Sequence, residues 1–233
     1  MAPREVPPAA TKCNKGTGNR ATMPEVFRFY GDAKDGVSYS AKNTPELTKK
    51  QCKERRWACN FFRDPNFEFT FDGVVWKDTE IPFQYLRWIR DVPGGETPEV
   101  KAARLEFAEQ IRNAPTPAKA WFLANFTKSR KLDGVAYCNG PFPSFKPYAD
   151  IVMAAHNKGV RRPDFDGDAD YQLMLELNEC KYLQNAYLMA RLKATGDATL
   201  VEHSARDRRW ADGGDGSGTN WMGKVLMHVR DEN

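Results

Sequence analysis

The chain lacks the patterns that would place it among disulfide-rich, zinc-binding or membrane proteins. Its five cysteines (Cys13, Cys52, Cys59, Cys138 and Cys180) form no CxxC pair, so neither a disulfide framework nor a structural zinc is expected, and the thiols should be reduced. No apolar run approaches the roughly 18 residues that would cross a bilayer. The N-terminus also has no apolar core followed by a small-residue cleavage site. A chain without membrane contact, intracellular in the cytoplasm or nucleus, is therefore the expectation. Charge of one sign is not concentrated either. A net +4 with pI about 8.7 suits a phosphorylated ligand but falls short of the dense basic stripe of a tight duplex binder. No ligand cluster calls for a metal or a cofactor.

What is present is enough for one substantial core: 233 residues, 41% hydrophobic and 12% aromatic. Residues 1–23 mix Pro, Ala, Thr, Lys and Gly without periodicity and read as a disordered leader, with a folded domain from residue 24 to 233. Alternation over 26–30 predicts a strand. A second strand at Phe67–Phe71, the Asp72-Gly73 turn and Val74–Trp76 predict a hairpin. Helices follow from about residue 80, capped by Asp78 or Thr79, then from Pro98 to Asn113 and from Pro117 to about Asn125, the last capped by Thr116. Residues 126–150 read as a long surface loop. The acidic run from Asp164 to Asp170 fails the calcium-loop pattern, since Ala169 stands where Gly is needed and Leu175 where Glu is needed. It opens instead the longest helix, about 168–195, with Leu173, Met174, Leu177, Cys180, Tyr187, Leu188 and Leu192 as its buried stripe. The fold class expected is α+β, predominantly helical, with a small N-terminal β-hairpin or sheet.

Several residues fit this scheme poorly as structure alone. Residues 213–220, rich in glycine, lead into a terminal amphipathic helix and could offer backbone N–H groups to a phosphate at its N-terminus. Glu202, Asp207 and Trp210 precede that turn, where carboxylates could hold sugar hydroxyls or move protons and an indole could stack. Glu80 sits at a helix start beside aromatic cover. Lys181 points toward the core face of the long helix, where an amine is costly unless paired and loses its proton more readily than in water. The basic residues between 49 and 56, and those at 128–131, suit either a solvated face or a track for phosphates.

The order Phe29-Tyr30-Gly31, Asn60-Phe61, Thr79-Glu80 with Phe83-Gln84, Thr116–Ala120, Lys181–Asn185, Leu200–Glu202, Asp207, Trp210, Gly214, Gly216, Gly218, Asn220 and Gly223-Lys224 resembles the NADAR, or YbiA-like, domain over roughly residues 26–230. That resemblance implies a single α+β domain and N-glycosidase activity. One branch of the family removes ADP-ribose from the guanine amino group of modified guanosines in nucleic acid, another cleaves riboflavin-pathway intermediates, and binding of ADP-ribose without turnover is the third possibility. It implies as partners an ADP-ribosylated guanosine or nucleic acid and the ADP-ribose product. In roles, it implies Lys181 as nucleophile or electrostatic group, Glu80 for proton transfer, and Asp207 with Glu202 for ribose hydroxyls. Trp210 would stack, Gly214, Gly216 and Asn220 would receive the pyrophosphate, and Tyr30 and Asn60 would join the substrate pocket. The chain departs from the family pattern after Glu80: Ile81-Pro82 replaces the common His-Tyr, and Arg87-Trp88 the Lys-Phe that usually follows.

Overall fold

The aromatic alternation that begins the fold points Phe27 and Phe29 into the core along β1 (Val26–Phe29). The computed structural model describes residues 26–31, 46–125, 146–160, 163 and 167–233. The expected leader, the basic residues 128–131 and the start of the acidic run at 164–166 lie outside them. The partner of β1 comes from near the far end of the chain: β4 (Thr199–Glu202) runs parallel to it, with Phe29 opposite Glu202. Four residues are too few for a periodic signal, so this pairing emerges only from the structure. The hairpin is as expected. β2 (Phe69–Phe71) and β3 (Val74–Trp76) pair antiparallel across Asp72 and Gly73, at φ 49° and 73°, the left-handed pair that matches strand twist.

Helices make up most of the rest, giving the expected mixed, mainly helical architecture. α1 (Lys49–Arg55) starts on a capping box between Thr48 and Gln51. α2 (Glu80–Ile89) starts where the Asp78 carboxylate accepts the Ile81 N–H at 2.7 Å. α3 (Pro98–Arg112) uses Thr97 as cap and Pro98 in its first turn, and α4 (Pro117–Asn125) follows the Thr116 hydroxyl. α5 (Lys146–Asn157) takes over the last five residues of the stretch expected to be loop. α6 (Gly167–Leu183) and α7 (Ala186–Lys193) replace the single long helix, and α8 (Trp221–Glu232) closes the chain.

The break between α6 and α7 has a clear cause. Gln184 accepts from the Thr70 N–H at 2.7 Å and donates to the Thr70 carbonyl at 2.8 Å, while Asn185 donates to the Glu68 carbonyl at 2.9 Å. The two amides act as rungs on the edge of β2, and the chain leaves the helix to place them. The break resets the helical phase. Leu188 and Leu192 stay buried, but Tyr187, expected in the stripe, is 43% exposed.

α8 and β4 are stitched together by one side chain. Asn220, at φ 52°, donates to the Leu200 carbonyl at 2.9 Å and accepts the Glu202 N–H at 3.0 Å. One turn on, a Cβ at Gly223 would stand 2.1 Å from the Leu200 oxygen, an overlap with backbone that no rotamer relieves. Gly223→Ala should therefore cost about 3 kcal/mol, the upper range for overpacking, read as a lowered urea midpoint. An unchanged midpoint would mean that α8 can slide off β4 without loss.

Candidate active site

α2 places a carboxylate largely out of solvent. Glu80, in the first turn, is 2% exposed. Asn60 Nδ2 donates to its Oε2, and Gln84 Nε2, one turn on, donates to Oε1 at 2.7 Å. The Asn60 carbonyl in turn receives the Thr79 and Glu80 N–H groups at 3.1 and 3.2 Å, so the 59–60 segment and the helix start hold each other. Burial raises the Glu80 carboxyl to about 8, opposed by the Gln84 hydrogen bond, with Asp78 and Asp207 raising it further and Arg87 lowering it. A carboxyl poised there is protonated at neutral pH and can donate.

Two further carboxylates share this field. Glu202, at the end of β4 and 8% exposed, is pushed well above the usual carboxylate range by burial and then by Asp207, Glu80 and Asp212. Asp207, half-buried, uses Oδ1 to accept the Arg209 and Trp210 N–H groups, both at 2.8 Å. Tyr30, one residue past β1, joins them. Its phenol is raised to about 12 by burial and by Glu202, against a hydrogen bond with Ser204. Trp210 packs edge-on to Phe83 of α2 (5.2 Å, 82°) and to Trp221 of α8 (5.3 Å, 83°). The structure thus gathers Glu80, Asn60, Glu202, Asp207, Tyr30 and Trp210, drawn from segments far apart in the chain.

The glycine turn is built differently from the open anion cradle expected of it. The N–H groups of Gly213, Gly214 and Gly218 go to the Asp207 carbonyl, Asp212 Oδ1 and the Asp212 carbonyl at 3.0, 2.8 and 2.7 Å, and those of Trp221 and Met222 go to the Arg209 and Trp210 carbonyls. These donors are occupied inside the protein. Gly214, at φ 78°, has Ala205 within 2.8 Å of where a Cβ would stand, so the turn lies flat on the 204–207 loop. Gly216 borders open space. The Asn220 amide is engaged with β4.

Lys181 is fully buried. Its Nζ donates to the Cys59 carbonyl at 3.1 Å and lies 5.8, 5.9 and 5.1 Å from the rings of Phe62, Phe67 and Tyr182. It reaches the segment that carries Asn60 from the aromatic core.

Arg87 is the cation next to Glu80. At 5% exposure, it donates to Gln84 Oε1 and to Asp170 Oδ1, both at 3.1 Å, over the Phe83 ring. Gln84 and Arg87 were legible as neighbours of Glu80 from helical spacing; Asp170, on α6, was not. A second unforeseen pair is His203 Nδ1 with Asp212 Oδ2 at 2.7 Å, both buried. Among the described residues no cluster of His, Cys, Asp and Glu has metal-holding geometry, and no helix is long and apolar enough to cross a membrane.

Comparison with known proteins adds the following. A model of the NADAR domain matches residues 42–232. N-glycosidase YbiA of Escherichia coli K12 is 44% identical over 61 residues, 26% of this chain and 38% of that protein. Riboflavin biosynthesis protein VVA0006 of Vibrio vulnificus is 56% identical over 52 residues, 22% and 14% of the two chains. N-glycosidase R617 of Acanthamoeba polyphaga mimivirus is 38% identical over 74 residues, 27% and 44%. The chain therefore spans less than half the length of these relatives. The NMR structure of E. coli YbiA superposes at TM-score 0.52 with 21% identity, covering 91% of this chain and 89% of that one, which establishes a shared fold.

The raised carboxyl of Glu80 has a consequence for stability. The group holds its proton to about 8 in the fold but releases it near 4.5 when unfolded. Its stabilising contribution is complete below the lower value and lost as pH rises through the higher one. The thermal midpoint should fall as pH rises from about 5 to about 9, and Glu80→Gln, which cannot ionise, should flatten that fall. Parallel profiles for the two proteins would show that Glu80 is ionised throughout.

Proposed function

The chain belongs to the NADAR domain family, and on that premise we propose that it is an N-glycosidase that removes ADP-ribose from the guanine amino group of modified guanosines in nucleic acid. The observation that carries this reading is the buried Glu80 of α2, held by Asn60 and Gln84 and sharing an electrostatic field with Glu202 and Asp207, with Trp210 packed on Phe83 of the same helix. Cleavage builds positive charge at the anomeric carbon while the guanine nitrogen leaves. Glu80 delivers its proton to that nitrogen, water supplies hydroxide to the anomeric carbon, and the proton left by water restores Glu80. Glu202 and the Asp207 oxygen not bonded to backbone orient the ribose hydroxyls, and Trp210 borders the base or adenosine end. Tyr30 closes the pocket beside Glu202.

Arg87, always charged, supplies the cation near Glu80 but cannot form an imine with an opened sugar. Lys181 donates to the Cys59 carbonyl, next to Asn60. The target guanine must be unstacked to reach such a buried acid. A second reading, hydrolysis of a riboflavin-pathway intermediate, is favoured by the Vibrio relative whose name refers to riboflavin biosynthesis.

Incubation with an ADP-ribosylated guanosine oligonucleotide and, separately, with a ribosylamino-pyrimidine phosphate distinguishes the readings. Release of ADP-ribose from the first is expected, with kcat/KM declining as pH rises through about 8 because the acid form of Glu80 is required. Glu80→Gln should lower kcat about 10²–10⁴-fold, and borohydride should trap no adduct. Turnover of the pyrimidine substrate alone would replace the first reading with the second. Tight ADP-ribose binding without turnover of either would make the protein a binding module.

A further inference from the structure

Away from the carboxylates, two adjoining hollows of about 640 and 320 Å³ share Lys53, Glu54 and Arg191 on their walls. Lys50 and Trp57 complete the larger one; Arg56, Phe62, Asp64, Asn66 and Tyr187 complete the smaller. The walls come from α1, the 3-10 turn Arg56–Ala58, residues 62–66 and α7. Four cations therefore line one trough against two carboxylates. Of these, Glu54 is loosely paired with Lys50 at 3.8 Å on an exposed face, an arrangement worth little in water. Asp64 Oδ1 accepts the Asn66 N–H.

The trough also contains an exposed aromatic ring. The break at Gln184-Asn185 turns Tyr187 out of the buried stripe, and its phenol lies in the field of Arg191, Arg56 and Asp64. A groove with spaced cations and an accessible ring fits a chain of phosphates with unstacked bases between them, because cations follow the backbone and any base can lie on a ring. A duplex offers no free base face, and four cations fall short of its phosphate density.

We propose that this trough is a binding site for single-stranded nucleic acid, holding the strand that flanks the modified guanosine. It rests on the hydrolase reading for its purpose but not for its binding. The two sites share one segment of chain: Phe62 lines the smaller hollow, and two residues earlier Asn60 grips Glu80. A strand seated here would run past the segment that aims the acid.

The test uses the full chain and a fluorescein-labelled, unmodified single-stranded DNA 12-mer, with binding read by anisotropy over a salt series. With four phosphates contacted, the log–log salt slope should be about −3, at about −0.7 per contact. Lys53→Gln with Arg191→Gln should weaken binding at least tenfold and reduce the slope by about 1.4. Tyr187→Ala should weaken it by roughly tenfold with the slope unchanged, as loss of stacking alone does. Turnover of free ADP-ribosylguanosine should be unaffected by the double variant, while KM for a modified oligonucleotide rises.

Equal binding by wild type and double variant would overturn the proposal. So would preference for duplex, or displacement by inorganic phosphate at the same phosphate concentration, which would mark a small-anion site. Because the 12-mer carries no ADP-ribose, its binding together with no turnover of the ADP-ribosylated substrates would sink the hydrolase reading and leave the trough standing.

Discussion

The Asn220 side chain is the fastening on which the site depends. By bonding both the Leu200 carbonyl and the Glu202 N–H, it fixes the last residues of β4 against the start of α8. The bare Cα of Gly223 allows the two backbones to approach closely enough for those bonds to form. From there the consequences run outward. Glu202 is held at the end of a strand whose other edge is β1, so Tyr30 follows. The loop beyond β4 folds back, its Asp207 capping the Arg209 and Trp210 N–H groups, and Trp210 is thereby pressed between α2 and α8. Without this fastening, a buried carboxylate at position 202 would have a route to water and no reason to stay beside Glu80.

That arrangement works against stability in a specific way. Burial first, and then the influence of the neighbouring carboxyls on one another, disfavours the charged forms of Glu80 and Glu202. Native folds tolerate such conflict mainly where chemistry requires it. The relief is partial and local: Asn60 and Gln84 donate to Glu80, and Arg87 is anchored by Asp170 so that its charge cannot drift to solvent. Elsewhere the buried charges are matched closely, as where Arg63 meets Asp78 at 2.7 Å and Arg104 meets Glu96 and the Trp88 carbonyl. The carboxyl cluster thus stands out against close ion pairs such as these.

What the sequence made legible was local. The hairpin announced itself through strict alternation and Asp-Gly. α3 announced itself through Thr97 and Pro98, and the special character of Glu80 through its place at a helix start among aromatics. The pieces that escaped reading depend on partners distant in the chain. β4 is four residues long and becomes a strand only because β1 is beside it. The break after Leu183 arises because Gln184 and Asn185 find Thr70 and Glu68, contacts that no helical pattern encodes. The glycine turn displayed its donors in sequence, but which acceptors occupy them was set by the fold-back of residues 207–212. Arg87 was visible as a departure from family pattern, and its anchor on α6 was not.

Residues 56–63 join these observations. Within that short span, the Trp57 carbonyl receives the Tyr182 hydroxyl at 3.3 Å, the Cys59 carbonyl receives Lys181, the Asn60 carbonyl receives two N–H groups of α2, and Arg63 grips Asp78. Beyond its opening 3-10 turn the segment has no regular structure, and its backbone carbonyls are satisfied by side chains and a helix start instead. One side carries Arg56 and the ring of Phe62 to the trough, and the other carries Asn60 to Glu80. A displacement of this segment by a ligand in the trough would be transmitted to the acid through the Asn60 hydrogen bond. Lys181 holds the Cys59 carbonyl of the same segment from the aromatic core, beside the rings of Phe62, Phe67 and Tyr182.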